Sequence, residues 1–311
     1  MLSRTASSLY WLGRYIERAD FIARLVEATI RLDVLSARPA GEAAWLSALT
    51  VTDTEAAFKA TGASLTREAV SRFLTSDSSN PGSLVRCLDM ARMNARPVRI
   101  ALTRESWSAI NSAWLVFDKR VARADTDRTL ALVDAVKHET RGFEGALHRM
   151  LRNQTTLFIR LGQATERVDD TARLLDVKYH LLLPEGAEVG GTVDRDQWTT
   201  ILQTVSAVTA YRWLYNDGLV PANVIDLLLT RSELPRSVAG AIEEVTDVLT
   251  QLARRTGTNG EADRMARSRH ARALKTRSGD VIVSGLHQHL QAVIAENDQL
   301  HAAIARQFKF H

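Results

Sequence analysis

Apolar residues recur every three or four positions along most of the chain, which is the period of amphipathic α-helices. Alternating strand patterns with turn dipeptides are absent, and only six prolines interrupt the helical pattern. The sequence therefore predicts an all-α helical bundle of about ten helices. These helices are predicted at residues 4–36, 43–61, 66–76, 81–101, 104–121, 127–151, 155–183, 195–216, 222–231, 235–256 and 279–308, with a weaker segment at 261–275.

Three prolines are expected to mark helix starts, because proline at the first helical position loses no hydrogen bond. Asn80 precedes Pro81 and is expected to cap the helix that follows. Pro221 and Pro235 are expected to open two more helices. Pro97 lies inside a helical pattern, where proline breaks or kinks the helix around it.

A segment near the start of the chain is repeated in its second half. Residues 12–25 share eight identities with residues 161–174, including Glu-Arg-x-Asp in both copies. With small gaps, Trp45 also falls on Trp198. The repeat predicts a single domain, residues 1–311, built from two homologous halves that are related by a pseudo-twofold axis and share one core. The halves are predicted at residues 1–151 and 152–311.

Charged residues form a band along one side of each repeated helix, at about 100° per residue. The band contains Glu17, Asp20, Arg24, Glu27 and Arg31 in the first copy, and Glu166, Asp169, Arg173, Asp176 and His180 in the second. Apolar residues flank the first band on both edges, which indicates that it is half buried. We expect the two helices to approach each other, with Glu17 and Glu166 buried beside arginines. Arg18 and Arg167 fall outside the bands, so we expect them to serve another contact.

Three interpretations of the paired bands remain open. A structural ion-pair network is favoured, because buried charges need partners and such networks fix how elements dock. A cleft for a charged ligand or peptide is the second interpretation. A metal or catalytic site is the third, by analogy with di-metal helical bundles. Those bundles use histidine where this chain has aspartate, and an arginine one turn later opposes cation binding, so no metal is predicted.

A second group of polar residues lies on both sides of the proline break at Pro97. Arg92, Arg96 and Arg99 share one helix side, and Asn94 lies off it. Arginines in this arrangement can clamp a carboxylate or a phosphate. The alternative, which we favour, is that they pair with the acidic residues of the two bands.

Composition narrows the classes of function. The 311 residues are 45% hydrophobic and 24% charged, with a net charge of +4, which is too mild and too dispersed to predict nucleic-acid binding. Apolar runs fall short of the ~20 residues that cross a membrane, and the N-terminus lacks the apolar core of a signal peptide. The one cysteine, Cys87, excludes an intramolecular disulfide and is expected to be a core residue. A cytoplasmic location is expected.

Five segments, taken together and in order, carry a resemblance that covers nearly the whole chain. They read LSRTASSLYWLGRYIERAD, NPGSLVRCLDMARMNARPVR, ESWSAIN, ERVDDTARLLDVKYHLLL and LPRSV. This combination resembles the alpha-E domain family, a bacterial all-helical family named for its Glu-Arg motif. The chain departs from the family pattern at Met93, where glutamate is more usual.

The resemblance implies a role beside circularly permuted ATP-grasp proteins, with a transglutaminase-like peptidase as a further partner. The chain is then an accessory or substrate-presenting component of a system that makes or modifies a peptide or amide bond. The alternative is an enzyme that forms or hydrolyses amide bonds at the charged cluster, with or without a metal; no cofactor is implied. The candidate binding residues are Glu17, Arg18, Asp20, Arg24, Arg92, Asn94, Arg96, Arg99, Glu166, Arg167, Asp169, Arg173 and Arg236.

Overall fold

Two long helices form the centre of the structure, a computed structural model that describes residues 1–35, 38–121, 126–180, 191–257 and 259–310. Within these ranges the chain forms fifteen α-helices, one 3-10 helix and no β-strand, so the predicted all-α class is confirmed. The α-helices are α1 (Ser3–Leu35), α2 (Arg38–Val51), α3 (Glu55–Ala60), α4 (Arg67–Thr75), α5 (Leu84–Ala95), α6 (Arg104–Val121), α7 (Thr126–Arg149), α8 (Gln154–His180), α9 (Thr192–Thr204), α10 (Val208–Leu214), α11 (Pro221–Thr230), α12 (Val238–Thr256), α13 (Glu261–Ala273), α14 (Ser278–Ser284) and α15 (Leu286–Phe308). The 3-10 helix, Arg96–Ala101, connects α5 to α6.

Three predicted helices are interrupted, which accounts for much of the excess over the predicted ten. Asp53 has a φ of 55° and separates α2 from α3, and Ser206, with a φ of 59°, separates α9 from α10. Gly285, with a φ of 119°, separates α14 from α15. A residue in the left-handed region cannot continue a right-handed helix. Pro97 also acts as predicted, since α5 ends at Ala95 and the backbone tightens to a 3-10 helix.

Two of the three predicted helix starts are wrong. α5 begins at Leu84 behind Ser83, and Asn80 instead accepts a hydrogen bond from the Gly82 amide within the preceding turn. α12 begins after Ser237, whose hydroxyl accepts from the Gly240 amide. In both places the proline lies two residues before the serine at the N-cap position. The Ser237 hydroxyl satisfies an amide at the start of α12, as N-cap serines commonly do, whereas the Ser83 hydroxyl has no hydrogen-bond partner among the described residues. α11 begins at Pro221, as predicted.

The central pair, α1 and α8, pack against each other, and several of the surrounding helices pack against them. α1 also contacts α2, α5, α7 and α9, and α8 also contacts α12 and α15. The two backbones approach each other closely at two glycines. A Cβ atom at Gly13 would clash with the carbonyl oxygen of Ile159, and one at Gly162 would clash with that of Tyr10. Glycine at both positions therefore permits the crossing.

Two apolar clusters lie along the central pair, one at each end. Ile16 on α1 and Ala164 on α8 belong to the first cluster, whereas Ala19 and Val168 belong to the second. The residues between these positions include both Glu-Arg motifs. Each cluster contains residues from before and after residue 151, so neither cluster belongs to one half of the chain alone. The fold thus places the charged side chains of the two Glu-Arg motifs and their ion-pair partners between the two apolar clusters. We call these side chains the charged layer.

Over the residues that the structure describes, none of the helices has the length and apolar character needed to cross a membrane.

Candidate functional site

The two Glu-Arg motifs face each other across the α1–α8 crossing. Nη2 of Arg167 lies 2.8 Å from Oε2 of Glu17, and Nε of Arg18 donates to Oε1 of Glu166. The glutamate of each motif therefore pairs with the arginine of the other. Glu17 is 2% exposed and Glu166 is 1% exposed, so the expected burial of both glutamates beside arginines is confirmed.

The prediction that Arg18 and Arg167 serve a contact outside the bands is wrong. Both guanidinium groups enter the charged layer, although their Cα positions point to one side of it. An arginine side chain is long enough to extend its charged end around the helix while its methylene groups cover apolar surface. The position of an arginine on the helical wheel therefore predicts where its methylene groups start, but it does not predict where its guanidinium group lies.

On the Glu17 side, three arginines balance three carboxylates: Arg24, Arg167 and Arg236 against Glu17, Asp20 and Glu144. Arg236 precedes α12, and its Nη2 lies 2.8 Å from Asp20 and 3.1 Å from Glu17. Thr140 on α7 donates a hydrogen bond of 2.7 Å to Asp20. Burial alone would raise the pKa of Asp20, but Arg236 and Arg24 lower this pKa to about 2.

On the Glu166 side, the carboxylate accepts from Arg14 as well as from Arg18. Burial opposes ionisation of Glu166, but Arg14 and then Arg18 lower its pKa to about 2. Arg14 is itself buried and was not among the predicted site residues. A sequence signal for it exists, since Arg14 lies one helical turn before Arg18 on the same face of α1.

The two aspartates that follow Glu166 are less well neutralised. Nε of Arg173 donates to Asp169 over 2.9 Å, yet the other carboxylate oxygen, Oδ1, is buried with no hydrogen-bond partner in the described part of the chain. Burial raises the pKa of Asp169, against the effect of Arg173. Burial, Glu166 and Asp169 all raise the pKa of Asp170, well above the usual range.

Residues near the C-terminal ends of the two bands also pair with other helices. Glu27 on α1 accepts from Arg31 of the same helix and from Lys137 of α7. On α8, Asp176 lies 2.6 Å from His287 and accepts from Gln291 over 2.8 Å, both on α15. The side chain of His180, the last residue of the predicted second band, lies outside the described residues.

The arginines near the end of α5 do not join the charged layer, so the favoured prediction that they pair with the bands is wrong. Arg92 donates to Asn111 over 3.0 Å and stacks 4.1 Å from the centre of the Trp114 ring. Asn94 donates to the carbonyl of Met90. Arg96 and Arg99 are exposed, because the backbone tightens at Pro97 into the 3-10 helix that carries them.

The charged layer has the chemistry of an ion-pair network. Across the described ranges, no group of three or more histidine, cysteine, aspartate or glutamate side chains is arranged to hold a metal ion. Carboxylates that arginines hold ionised are poor proton donors at neutral pH. Cys87 is a core residue, as predicted, and burial raises the pKa of its thiol to about 12, so it is not a nucleophile.

Comparison with known proteins gives the chain a family context. The Alpha-E family model, described as a predicted alpha-helical domain with a conserved ER motif, matches residues 1–308. Two uncharacterised proteins, from Mycobacterium bovis and Mycobacterium tuberculosis, are each 24% identical over 344 aligned positions. The match covers 93% of this chain but only 36% of each relative, so the chain spans about a third of their length. No solved structure matches the chain.

Proposed function

This chain belongs to the Alpha-E family. We propose that it is an accessory or substrate-presenting component of an ATP-grasp-type ligase system that makes or modifies peptide or amide bonds. The observation that carries this proposal is the exchange of partners between the two Glu-Arg motifs. Glu17 pairs with Arg167 and Glu166 pairs with Arg18, so both motifs are used in joining α1 to α8. Because both motifs serve to hold α1 against α8, we assign catalysis to a partner protein and not to these motifs.

The exchanged pairs also support two homologous halves related by a pseudo-twofold axis. Gly13 lies against the carbonyl of Ile159, and Gly162 lies against that of Tyr10. Each of these contacts becomes the other when the two repeated segments are interchanged. Under this proposal, the charged layer fixes the relative placement of the halves and thereby the shape of the surface offered to a partner.

The length of the relatives supports a role within a larger system. In the two mycobacterial proteins, the region similar to this chain is about a third of a longer polypeptide. A domain that is joined to other sequence in its relatives can work with a separate partner elsewhere. We propose an ATP-grasp-type protein as that partner, with a transglutaminase-like peptidase as a further one, in the cytoplasm, where ATP is supplied.

The segment at the end of α5 is the proposed contact surface for the ligase. Ile100 is 99% exposed, and Met93, Arg96 and Arg99 are exposed as well. Methionine and arginine are enriched at protein interfaces, and exposed apolar side chains beside them gain free energy when a partner covers them.

Copurification with the ATP-grasp-type protein of the same organism tests the proposal. We expect the tagged chain to retain that ligase, and the chain alone to turn over neither ATP nor amide substrates. Replacing Arg96 and Ile100 together by glutamate should abolish retention, whereas Arg212→Glu, an exposed substitution on α10, should not. Turnover by the chain alone, or the absence of any retained ligase, contradicts the proposal.

A second candidate function is an amide-forming or amide-hydrolysing enzyme with its site on the Glu166 side, where Oδ1 of Asp169 is buried without a hydrogen-bond partner among the described residues. A carboxyl group whose pKa is raised well above its usual range can serve as a proton donor near neutral pH. For this candidate, Asp170→Asn should abolish turnover of an amide substrate by the chain alone and leave its unfolding midpoint no lower. The matched control is Asp247→Asn, which changes an exposed carboxylate on α12. Loss of turnover in both variants, or in neither, rejects Asp170 as that donor.

A further inference from the structure

A second polar feature lies apart from the charged layer, in a cavity bordered by α11, α12, α13 and α15. Its volume is about 230 Å³, and one side opens to solvent. A closed cavity of ~150 Å³ is large enough to hold benzene, so this space can hold a small organic molecule. Leu229, Ile242 and Val293 supply apolar wall, and the guanidinium of Arg269 supplies the most deeply buried charge.

Arg269 is buried with weak partners. Its side chain is 4% exposed, and its two terminal nitrogens make long hydrogen bonds of 3.3 Å, to Asn297 Oδ1 and to the carbonyl of Val293. Its Nε makes no hydrogen bond to any described atom. Burial lowers the pKa of Arg269 to about 10, against the effect of Glu296. A buried guanidinium normally has charge-assisted bonds of about 2.7–2.9 Å, so this one is incompletely satisfied.

Glu296 is only a distant partner of Arg269. Its carboxylate lies 2.6 Å from Nη2 of Arg272 but 3.4 Å from Nε of Arg269. The glutamate is 38% exposed at its side chain and is bound chiefly to the more exposed arginine. His289 also lines the cavity, and burial lowers its pKa, which favours the neutral imidazole. Two arginines therefore share one carboxylate, and the cavity wall has room for a second anion.

We infer that this cavity binds a small monocarboxylate with a branched apolar tail. The carboxylate bonds to the terminal guanidinium nitrogens of Arg269, whose present hydrogen bonds are long, and the tail lies against Leu229, Ile242 and Val293. Arg272 also lines the cavity but is bound to Glu296, so the apolar wall and the one remaining guanidinium, that of Arg269, match a carboxylate better than a phosphate, whose extra charge and oxygens need more donors. This inference is independent of the proposed function, because it uses none of the residues of the charged layer or of the proposed ligase surface.

Calorimetric titration with N-acetylleucine tests the inference. N-acetylleucinamide, which has the same tail without the charge, is the matched ligand, and acetate is the ligand without the tail. We expect N-acetylleucine to bind saturably and each of the other two to bind at least about ten-fold more weakly. No saturable binding of N-acetylleucine up to about 10 mM, or equal binding of the acid and the amide, overturns the inference.

Variants separate the carboxylate contact from general electrostatics. Arg269→Gln should weaken N-acetylleucine binding at least about ten-fold. Arg267→Gln removes an exposed arginine from the same helix and should leave binding unchanged. Equal effects of these two substitutions overturn the inference.

Two further variants keep the inference testable if Arg269→Gln fails to fold. Glu296→Gln removes the carboxylate that competes for Arg269, so it should tighten N-acetylleucine binding several-fold. Ala273→Leu adds volume to the cavity wall and should abolish binding while all charges remain. Unchanged affinity in both variants places the ligand elsewhere and rejects the site.

Discussion

Oε2 of Glu17 lies 2.8 Å from Nη2 of Arg167, the arginine of the other Glu-Arg motif. The reverse pair, Arg18 with Glu166, lies in the same charged layer between the two apolar clusters. A repeated motif in this protein is thus bound to its own copy. Because each carboxylate is buried, its free energy depends on the arginine that the other helix supplies.

Arg236→Ala is expected to destabilise the protein by about 3–5 kcal/mol, because it removes a guanidinium shared by Glu17 and Asp20 and leaves both carboxylates buried. Urea denaturation gives the free energy of unfolding. The control is Arg160→Ala, which breaks a half-exposed pair with Glu244 and should cost at most about 1 kcal/mol. Equal losses in the two variants contradict a buried network.

Double-mutant cycles should detect the exchange of partners directly. We expect coupling free energies of about 1–3 kcal/mol for Glu17→Gln with Arg167→Met, and for Glu166→Gln with Arg18→Met. The half-exposed pair of Arg160 and Glu244 should give about 0.2–1 kcal/mol. Coupling in one motif pair and none in the other would show that the two halves of the charged layer are not equivalent.

The central helices were predictable because two independent signals coincide in them. The repeat identified α1 and α8, and the charged bands between apolar edges indicated burial of Glu17 and Glu166, which the structure has. Arg14 was missed although its spacing from Arg18 carries a signal. Thr140 and Glu144 on α7 carry none, because neither belongs to the repeated motif and their contacts depend on how α7 packs.

The helix breaks and the end of α5 show what sequence patterns leave open. Asp53 and Ser206 adopt left-handed conformations without the glycine that usually marks such positions, so the apolar pattern continues across both breaks. For Arg92, helical spacing gave no indication of the nearby Trp114 and Asn111, which bind it instead of the charged bands. Which of several possible partners a long side chain such as that of Arg92 binds depends on how the helices pack, and the sequence pattern does not show this packing.

Gly13→Ala and Gly162→Ala are each expected to destabilise the protein by at least about 1–3 kcal/mol, because a methyl group at either position meets a backbone carbonyl of the facing helix. The matched control is Gly142→Ala in α7, where a Cβ meets nothing within 4 Å. There alanine should stabilise by about 0.5–1 kcal/mol, since it favours the helix. Thermal unfolding of the three variants checks the order, and loss of stability at Gly142 would show a general intolerance of substitution.

Acid should weaken the fold through Asp20 and Glu166. The pKa of each is about 2 in the folded protein, against roughly 3.9 and 4.3 when unfolded. A folded pKa below the unfolded one means that the stabilisation is complete above the unfolded pKa and is lost as pH falls toward 2. For Asp20 the full contribution is roughly 2–3 kcal/mol, at 1.36 kcal/mol per pKa unit, and about 2 kcal/mol of it is lost by pH 2.

Comparing Asp20→Asn with the original chain isolates this contribution. Urea denaturation at several values between pH 5 and pH 2 should show the variant less stable at pH 5, with the difference narrowing by about 2 kcal/mol toward pH 2. Asp247→Asn, at an exposed position, should differ from the original chain by a nearly constant amount. A constant difference for Asp20→Asn as well would mean that Arg236 and Arg24 do not hold this carboxylate ionised in the folded protein.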